Sequence, residues 1–260
     1  MTTLDPSDVA REVRADGGAD TQHALACART PQALALKDTL AAAHRLVAAR
    51  GLDDGIAGHI SMRVPGAPHH FWVNALGVMF EECTAQTLCL INDKGEILEG
   101  GTMINLAGFL IHAAIHRARP DLNCVAHTHP PAGRAFSALD RLPEMTDQNA
   151  CSFYDDVALY SHYTGVVVDP DQAAEIGQAM GTKRAVILRN HGLITGAATA
   201  EQATIDMLDL EDVCATNLRI FATGQPFTTI EPAAGLQARA VLTQPLRYAA
   251  QWAALKRTSG

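Results

Sequence analysis

Apolar positions recur at helical spacing from Gln32 to Arg50, where Leu34, Leu36, Leu40, Ala43, Leu46 and Val47 share a face. Gly51 is a plausible stop, and a Gly/Asp-rich loop follows to Gly58. The period then changes from helical to alternating. His59 to Val64 reads as a strand ending at Pro65-Gly66, and Phe71 to Asn74 reads as its hairpin partner. Thr87 to Ile91 and Glu96 to Leu98 form a second hairpin pattern around Asp93-Lys94-Gly95. Leu106 to Arg119 returns to helical spacing, and Pro120 ends it. Leu122 to Ala126 is a buried strand running into His127-Thr128-His129-Pro130-Pro131, with a helix starting at Pro131 or Ala132. Thr164 to Val168 reads as a strand, Pro170 to Met180 as a helix, Ala185 to Arg189 as a strand and Thr199 to Phe221 as a long helix. Residues 1–32 show no clear period and read as a mobile tail or an arm on a neighbour; the stretch after Pro226 reads as less regular.

This order of elements predicts an α/β domain with hairpin-linked strands over residues 33–225, an N-terminal arm over 1–32 and a C-terminal extension over 226–260. Strands and helices do not simply alternate, and neither GxGxxG nor GxxxxGK[ST] occurs, so a doubly wound nucleotide-binding sheet is not expected. With 48% apolar and 18% charged residues in 260, a sizeable core can form. A net charge of -8 argues against nucleic acid or an anionic membrane as partner. No apolar run approaches the ~18 residues of a membrane span, and the start of the chain lacks an apolar signal core, so a cytoplasmic location is expected. The six cysteines are scattered and contain no CxxC pair, which fits small buried apolar residues rather than a disulfide framework.

Chemistry concentrates in three histidines. His127 and His129 are two apart at a strand end, and residues i and i+2 of an extended segment point to the same side. His191 ends another apolar strand and precedes Gly192, which is expected to let the backbone turn sharply. Three neutral imidazoles with an open position suit zinc, manganese, iron or cobalt.

The stretches Arg117 to Asp121, Val125 to His129, Leu188 to Leu193 and Gly58 to Arg63 together resemble the class II aldolase/adducin family, over roughly residues 33 to 225 and in the family's motif order. The resemblance implies a three-layer αβα sandwich around a mixed, largely antiparallel sheet, and a homotetramer with active sites at subunit contacts. It implies metal ligation by His127, His129 and His191, with zinc first and manganese or iron as alternatives. Adducin itself resembles this fold without the metal histidines.

The chain departs from the family's sugar-phosphate aldolases. Their Ser-Ser-Glu motif, whose Glu is the acid/base, falls on Leu106-Ala107-Gly108, and a glycine cannot move a proton. Their phosphate-binding Gly-Asn-Xaa-Ser loop falls on Gly58-His59-Ile60-Ser61, and their Ser-Gly turn on Leu76-Gly77. A phosphate dianion would lose several charge-assisted hydrogen bonds in such a pocket, so a small unphosphorylated carboxylic or hydroxy/oxo acid is expected as substrate. The expected substrate-binding positions are His59, Gly77, Asn105 and Gly108. Tyr154, His162 and Tyr163, which lie with Tyr160 between the histidine motifs, are the catalytic candidates. His112 and His116 read as supporting rather than ligating residues. The function expected is a metal-dependent carbon–carbon lyase of aldolase or decarboxylase type. The alternatives are a non-haem iron oxygenase and a non-catalytic adducin-like interaction protein.

Overall fold

The computed structural model describes residues 10–11, 13–101 and 103–258. In chain order it contains β1 (Ala10–Arg11), α1 (Ala19–Ala28), α2 (Pro31–Ala49), β2 (His59–Val64), β3 (Ala67–Asn74), β4 (Leu88–Asn92), β5 (Ile97–Glu99), β6 (Ile104–Asn105) and α3 (Leu106–Ala118). Then follow β7 (Cys124–Thr128), α4 (Pro131–Ser137), β8 (Val157–Tyr160), α5 (Pro170–Met180), β9 (Ala185–Leu188), β10 (Gly192–Ala197), α6 (Ala200–Ala222), α7 (Pro232–Leu242) and α8 (Pro245–Thr258).

Eight strands form one sheet in the order β5-β4-β3-β2-β7-β10-β9-β8. Every neighbouring pair is antiparallel except β8 with β9. The period of two along each strand divides its side chains between two cores. Trp72, Leu88, Leu90, Cys124 and Ala126 join the large core on the side of α2 and α6. Phe71, Val73, Cys89, Ile91 and Val125 point to the opposite face, which α3 and α5 cover. The chain thus folds as the αβα sandwich that the family resemblance implies. His59, Ser61 and His127 share the α3 face, because β2 and β7 pair His59 with His127 and Ser61 with Val125.

Local signals explain the helix starts. Thr30, Asn105, Asp169 and Thr199 each accept a backbone N–H of the following first turn, at α2, α3, α5 and α6. Proline occupies the first turn of α2, α4, α5 and α7.

Three expectations are corrected. The irregular tail to residue 32 is helical over Ala19–Ala28, and Ala24 and Ala28 bury against the chain's own sheet. Thr164 to Val168 is not a strand; the sheet edge is taken by Val157–Tyr160, and Val166 is left exposed. The stretch after Pro226 carries two helices, and Tyr248, Trp252 and Leu255 of α8 are buried in the large core. The Tyr248 hydroxyl donates to the buried Asp206 at 2.8 Å, beside the half-buried Arg184, which pairs with both Asp156 and Asp206. Two buried carboxylates would be costly to strand without their guanidinium, so this cluster ties α8 to the sheet.

Candidate metal centre

His127 is the last-but-one residue of β7, and His129 follows just beyond the strand end. His191 lies in the short β9–β10 connection. The tight turn there is made by Asn190, whose φ is 55°, and not by Gly192 as the sequence suggested. Gly192 has a different task. A Cβ on it would lie 2.6 Å from the carbonyl oxygen of Thr128 and 2.9 Å from Cδ2 of His129. The absent side chain is what lets the His191 connection press against the His129 backbone.

The three imidazole rings form a triangle with every centroid separation at 4.8 Å. One nitrogen from each lies within 4.8 Å of the others. Two tautomers follow from the surroundings. Nδ1 of His127 donates to the carbonyl of Leu193 at 2.9 Å, which leaves Nε2 as a bare lone pair. Nδ1 of His129 faces Oδ2 of Asp54 at 3.4 Å, with Arg134 Nη1 at 3.6 Å from the same oxygen. Its Nε2 therefore also carries a lone pair, and the two Nε2 atoms face each other at 3.1 Å. Two lone pairs at that distance repel unless a proton or a metal cation lies between them. Nitrogens bound tetrahedrally at ~2.05 Å to one zinc ion would be about 3.4 Å apart. The donor set therefore fits a divalent transition ion. Burial holds His127 well below the ordinary histidine pKa and lowers His191 to about 4, with the neighbouring rings adding to both shifts. Burial likewise lowers His129, against the pull of Asp54. All three rings are thus neutral near pH 7, as ligation requires.

Distant parts of the chain fix this arrangement. Both carboxylate oxygens of Glu211, on α6, accept from the N–H groups of Ala132 and Gly133, at 2.7 and 2.6 Å. That clamp holds the start of α4 immediately after His129. Behind the centre, Oγ of Ser61 lies 2.7 Å from Nδ1 of His112 and 2.9 Å from Nε2 of His116. A hydroxyl has one proton to give, so at least one of these imidazoles donates to it. Burial pushes His116 down to about 3 and His112 well below the ordinary value, so both are neutral. They support the site from behind.

A pocket of about 370 Å³ opens beside the centre. His127, His129, His191 and Asn190 line it together with His59, Asn105, Ala107, Gly108 and Ile111. Tyr163, Val166 and Val167 complete the wall. None of these lining residues carries a carboxylate or a fixed positive charge. Burial lowers His59 to about 3, and neither of its ring nitrogens has a hydrogen-bond partner among the described residues.

The structure thus brings His59, Asn105, Gly108 and Tyr163 together with the three histidines. It places the other candidates elsewhere. Tyr154 packs its ring on Gly235 of α7. His162 is exposed in a neighbouring cleft, its ring 5.6 Å from that of Tyr160, and lines a small cavity shared with Tyr163 and His191. Gly77 occupies a turn with φ 87° and does not line the pocket. Sequence reasoning passed over Asp54, Glu211, Asn190 and Ile111. Only the last two carried a signal, as neighbours of motif residues.

Comparison with known proteins agrees with the fold. A family model, the Class II Aldolase and Adducin N-terminal domain, matches residues 38–218. The decarboxylase NovR of Streptomyces niveus is 39% identical over 194 residues, covering 74% of this chain and 72% of that protein. The 4-hydroxy-3-prenylphenylpyruvate oxygenase/4-hydroxy-3-prenylbenzoate synthase of Streptomyces roseochromogenus subsp. oscitans is 38% identical over 192 residues, covering 73% of this chain and 69% of that one. The structure of an L-fuculose 1-phosphate aldolase from Glaciozyma antarctica PI12 superposes with a TM-score of 0.81 at 33% identity, covering 94% of this chain and 96% of that one. By its sequence match and its fold together, the chain belongs to the class II aldolase/adducin family.

Proposed function

We propose that the protein is a metal-dependent carbon–carbon lyase, of aldolase or decarboxylase type, acting on a small unphosphorylated carboxylic or hydroxy/oxo acid. The observation that carries this reading is the pair of facing Nε2 atoms of His127 and His129, closed by His191, at the wall of a pocket without fixed charges. Zinc is the ion we assign, with manganese or iron as alternatives, and the assembly we assign is a homotetramer.

The pocket's chemistry argues against a phosphorylated substrate. No Lys or Arg lines it, so a phosphate dianion would leave water with no fixed positive charge from these side chains to meet it. Ala57, Ala107, Ile111, Val166 and Val167 offer apolar surface instead. A divalent ion at the three histidines supplies electrophilic stabilisation of negative charge on a substrate oxygen. The protein's own residues do the rest. Asn190 and Tyr163 form the polar rim, and His59 offers a neutral hydrogen-bonding ring inside. In decarboxylation the bond to the carboxyl carbon breaks, CO₂ leaves, and the electron pair left behind takes up a proton. That course needs no base to begin it, which suits a pocket without a carboxylate.

A second reading is supported by one relative. The Streptomyces roseochromogenus protein is described as an oxygenase, so three histidines holding iron and activating O₂ form the competing activity. The test is a screen of aromatic and aliphatic hydroxy and oxo acids against the protein loaded with zinc, manganese or iron(II). Release of CO₂ or of a carbonyl fragment without O₂ uptake supports the lyase. Oxygen uptake with iron(II) alone overturns it in favour of the oxygenase. Failure to bind any transition ion would leave only the fold, as in a non-catalytic adducin-like protein.

A further inference from the structure

The connection from β9 to β10 is closed by the His191 N–H, which donates to the carbonyl of Leu188 at 3.0 Å. Arg189 and Asn190 are the central residues of that turn, and Asn190 has φ 55°. A turn with positive φ at its second central position favours glycine, which meets no steric penalty there. Among the described residues, Asp140, Asp155 and Asn190 alone hold a positive φ without being glycine. Two of the three use their side chains within the chain. Oδ2 of Asp140 lies 3.3 Å from Nη1 of Arg189, and Oδ1 of Asp155 lies 2.6 Å from Nζ of Lys183. The carboxamide of Asn190 has no such partner among the described residues; the backbone N–H of Asn190 donates to Ser137, and its side chain bonds to nothing in the chain.

Asn190 is exposed and lines the pocket, immediately before His191 in the chain. No carboxylate lines that pocket, so hydrogen-bond acceptors are scarce in it. Two lining residues carry a side-chain carbonyl, Asn105 and Asn190. Oδ1 of Asn105 already accepts the Gly108 N–H at 3.1 Å. Oδ1 of Asn190 has no donor in the chain among the described residues. An amide oxygen suits a hydroxyl, because it accepts a hydrogen bond without setting a negative charge beside an anionic ligand.

We propose that Asn190 is a specificity residue of the pocket, its Oδ1 accepting a hydrogen bond from an α-hydroxyl of the bound acid. Asparagine keeps the turn that carries His191 and adds a polar group that glycine would lack. The site then favours an α-hydroxy acid over the same acid with hydrogen at that position. The inference rests on the reading of the substrate as an unphosphorylated acid, and names both the hydroxyl that acid carries and the side chain that meets it.

The test compares mandelate with phenylacetate, which lacks only the α-hydroxyl. Zinc-loaded wild type, Asn190→Gly and Asn190→Asp are titrated with each acid by calorimetry. Chelator competition measures zinc affinity in each, and thermal melting reports folding. Glycine keeps the positive φ and removes the amide, whereas aspartate keeps an acceptor. The two acids carry the same charge, so the carboxylate added in Asn190→Asp cancels in the ratio of their affinities. A hydroxyl that also meets the metal does so in every variant, so only a change in that ratio belongs to Asn190. The expected result is a ratio of mandelate to phenylacetate affinity about three- to tenfold lower in Asn190→Gly. Phenylacetate binding and zinc affinity stay at their wild-type values, and Asn190→Asp keeps most of the ratio. An unchanged ratio in Asn190→Gly overturns the proposal while leaving the acid reading intact. So do an equal loss of both acids, a loss matched by weaker zinc binding, or a ratio in Asn190→Asp as low as in Asn190→Gly. Wild type that binds neither acid overturns this contact and the substrate reading together.

Discussion

Oδ2 of Asp54 stands 3.4 Å from Nδ1 of His129 and thereby decides which nitrogen of that ring faces His127. Asp54 comes from the Gly/Asp loop before β2 and is itself exposed. Outer carboxylates of this kind fix the tautomer and orientation of a ligating ring, and losing one typically costs about 10–100-fold in metal affinity. Asp54→Asn is expected to weaken zinc binding by that order while leaving the melting temperature of the metal-free protein within a few degrees. Chelator competition reads the first and calorimetry the second; unchanged zinc affinity would show that Asp54 has no such role.

Glu211 acts on the same segment through the backbone. Its two oxygens accept from Ala132 and Gly133, so Glu211→Ala leaves two N–H groups at the start of α4 without their acceptor. The expected cost is about 1–3 kcal/mol in stability, measurable in urea unfolding. Weaker zinc binding is expected alongside, because α4 begins directly after His129 and Pro130. A variant with wild-type stability and wild-type metal affinity would contradict this.

Gly192 tests the packing of the two histidine loops. A methyl group there meets the Thr128 carbonyl and the His129 ring inside contact distance. Gly192→Ala is expected to cost about 1–3 kcal/mol as an overpacking change. It is also expected to reduce zinc affinity more than a comparable substitution at the exposed Gly224, where a Cβ meets nothing within 4 Å.

Buried neutral histidines make the metal-free protein acid-sensitive. His44 is lowered to about 4, and His59 and His116 to about 3, by burial in each case. The unfolded chain takes up these protons near pH 6.5, the folded chain only near pH 3 to 4. The stability they allow is therefore complete above pH 6.5 and is lost progressively as the pH falls towards 4. Each group that charges only on unfolding contributes a slope of about 1.4 kcal/mol per pH unit within that window. Urea unfolding of the metal-free protein at pH 7.5, 6.5 and 5.5 is expected to show little change over the first step and a steep loss over the second. A flat profile would contradict it.

Much of this architecture was legible because local and global preferences agree. The alternation of His59 to Val64 and the Asp169-Pro170 start of α5 give the bounds the structure shows. The strand at Val157–Tyr160 was not legible. Its Val-Ala-Leu-Tyr run shows no alternation, while Thr164 to Val168 looks more strand-like yet lies beyond a sheet edge already filled by β8. The C-terminal helices announced themselves only by Pro232 and Pro245 and by the spacing of Tyr248, Trp252 and Leu255. The three clustered histidines could be read from their two-residue and strand-end spacing. Asp54 and Glu211 could not, since they reach the site across 75 to 79 residues of chain and follow no local pattern. Tyr154 and His162 were placed by motif order alone, and the turn after Phe153 sends one under α7 and the other to an outer cleft.

Metal stoichiometry is the most direct test of the central claim. Protein stripped with chelator, dialysed and titrated with zinc is expected to take up one ion per chain, with uptake abolished or weakened at least a hundredfold in His127→Ala and His191→Ala alike. Wild-type protein that binds no transition ion, or a His191→Ala variant that binds zinc as tightly as wild type, would contradict the claim that these imidazoles hold one ion.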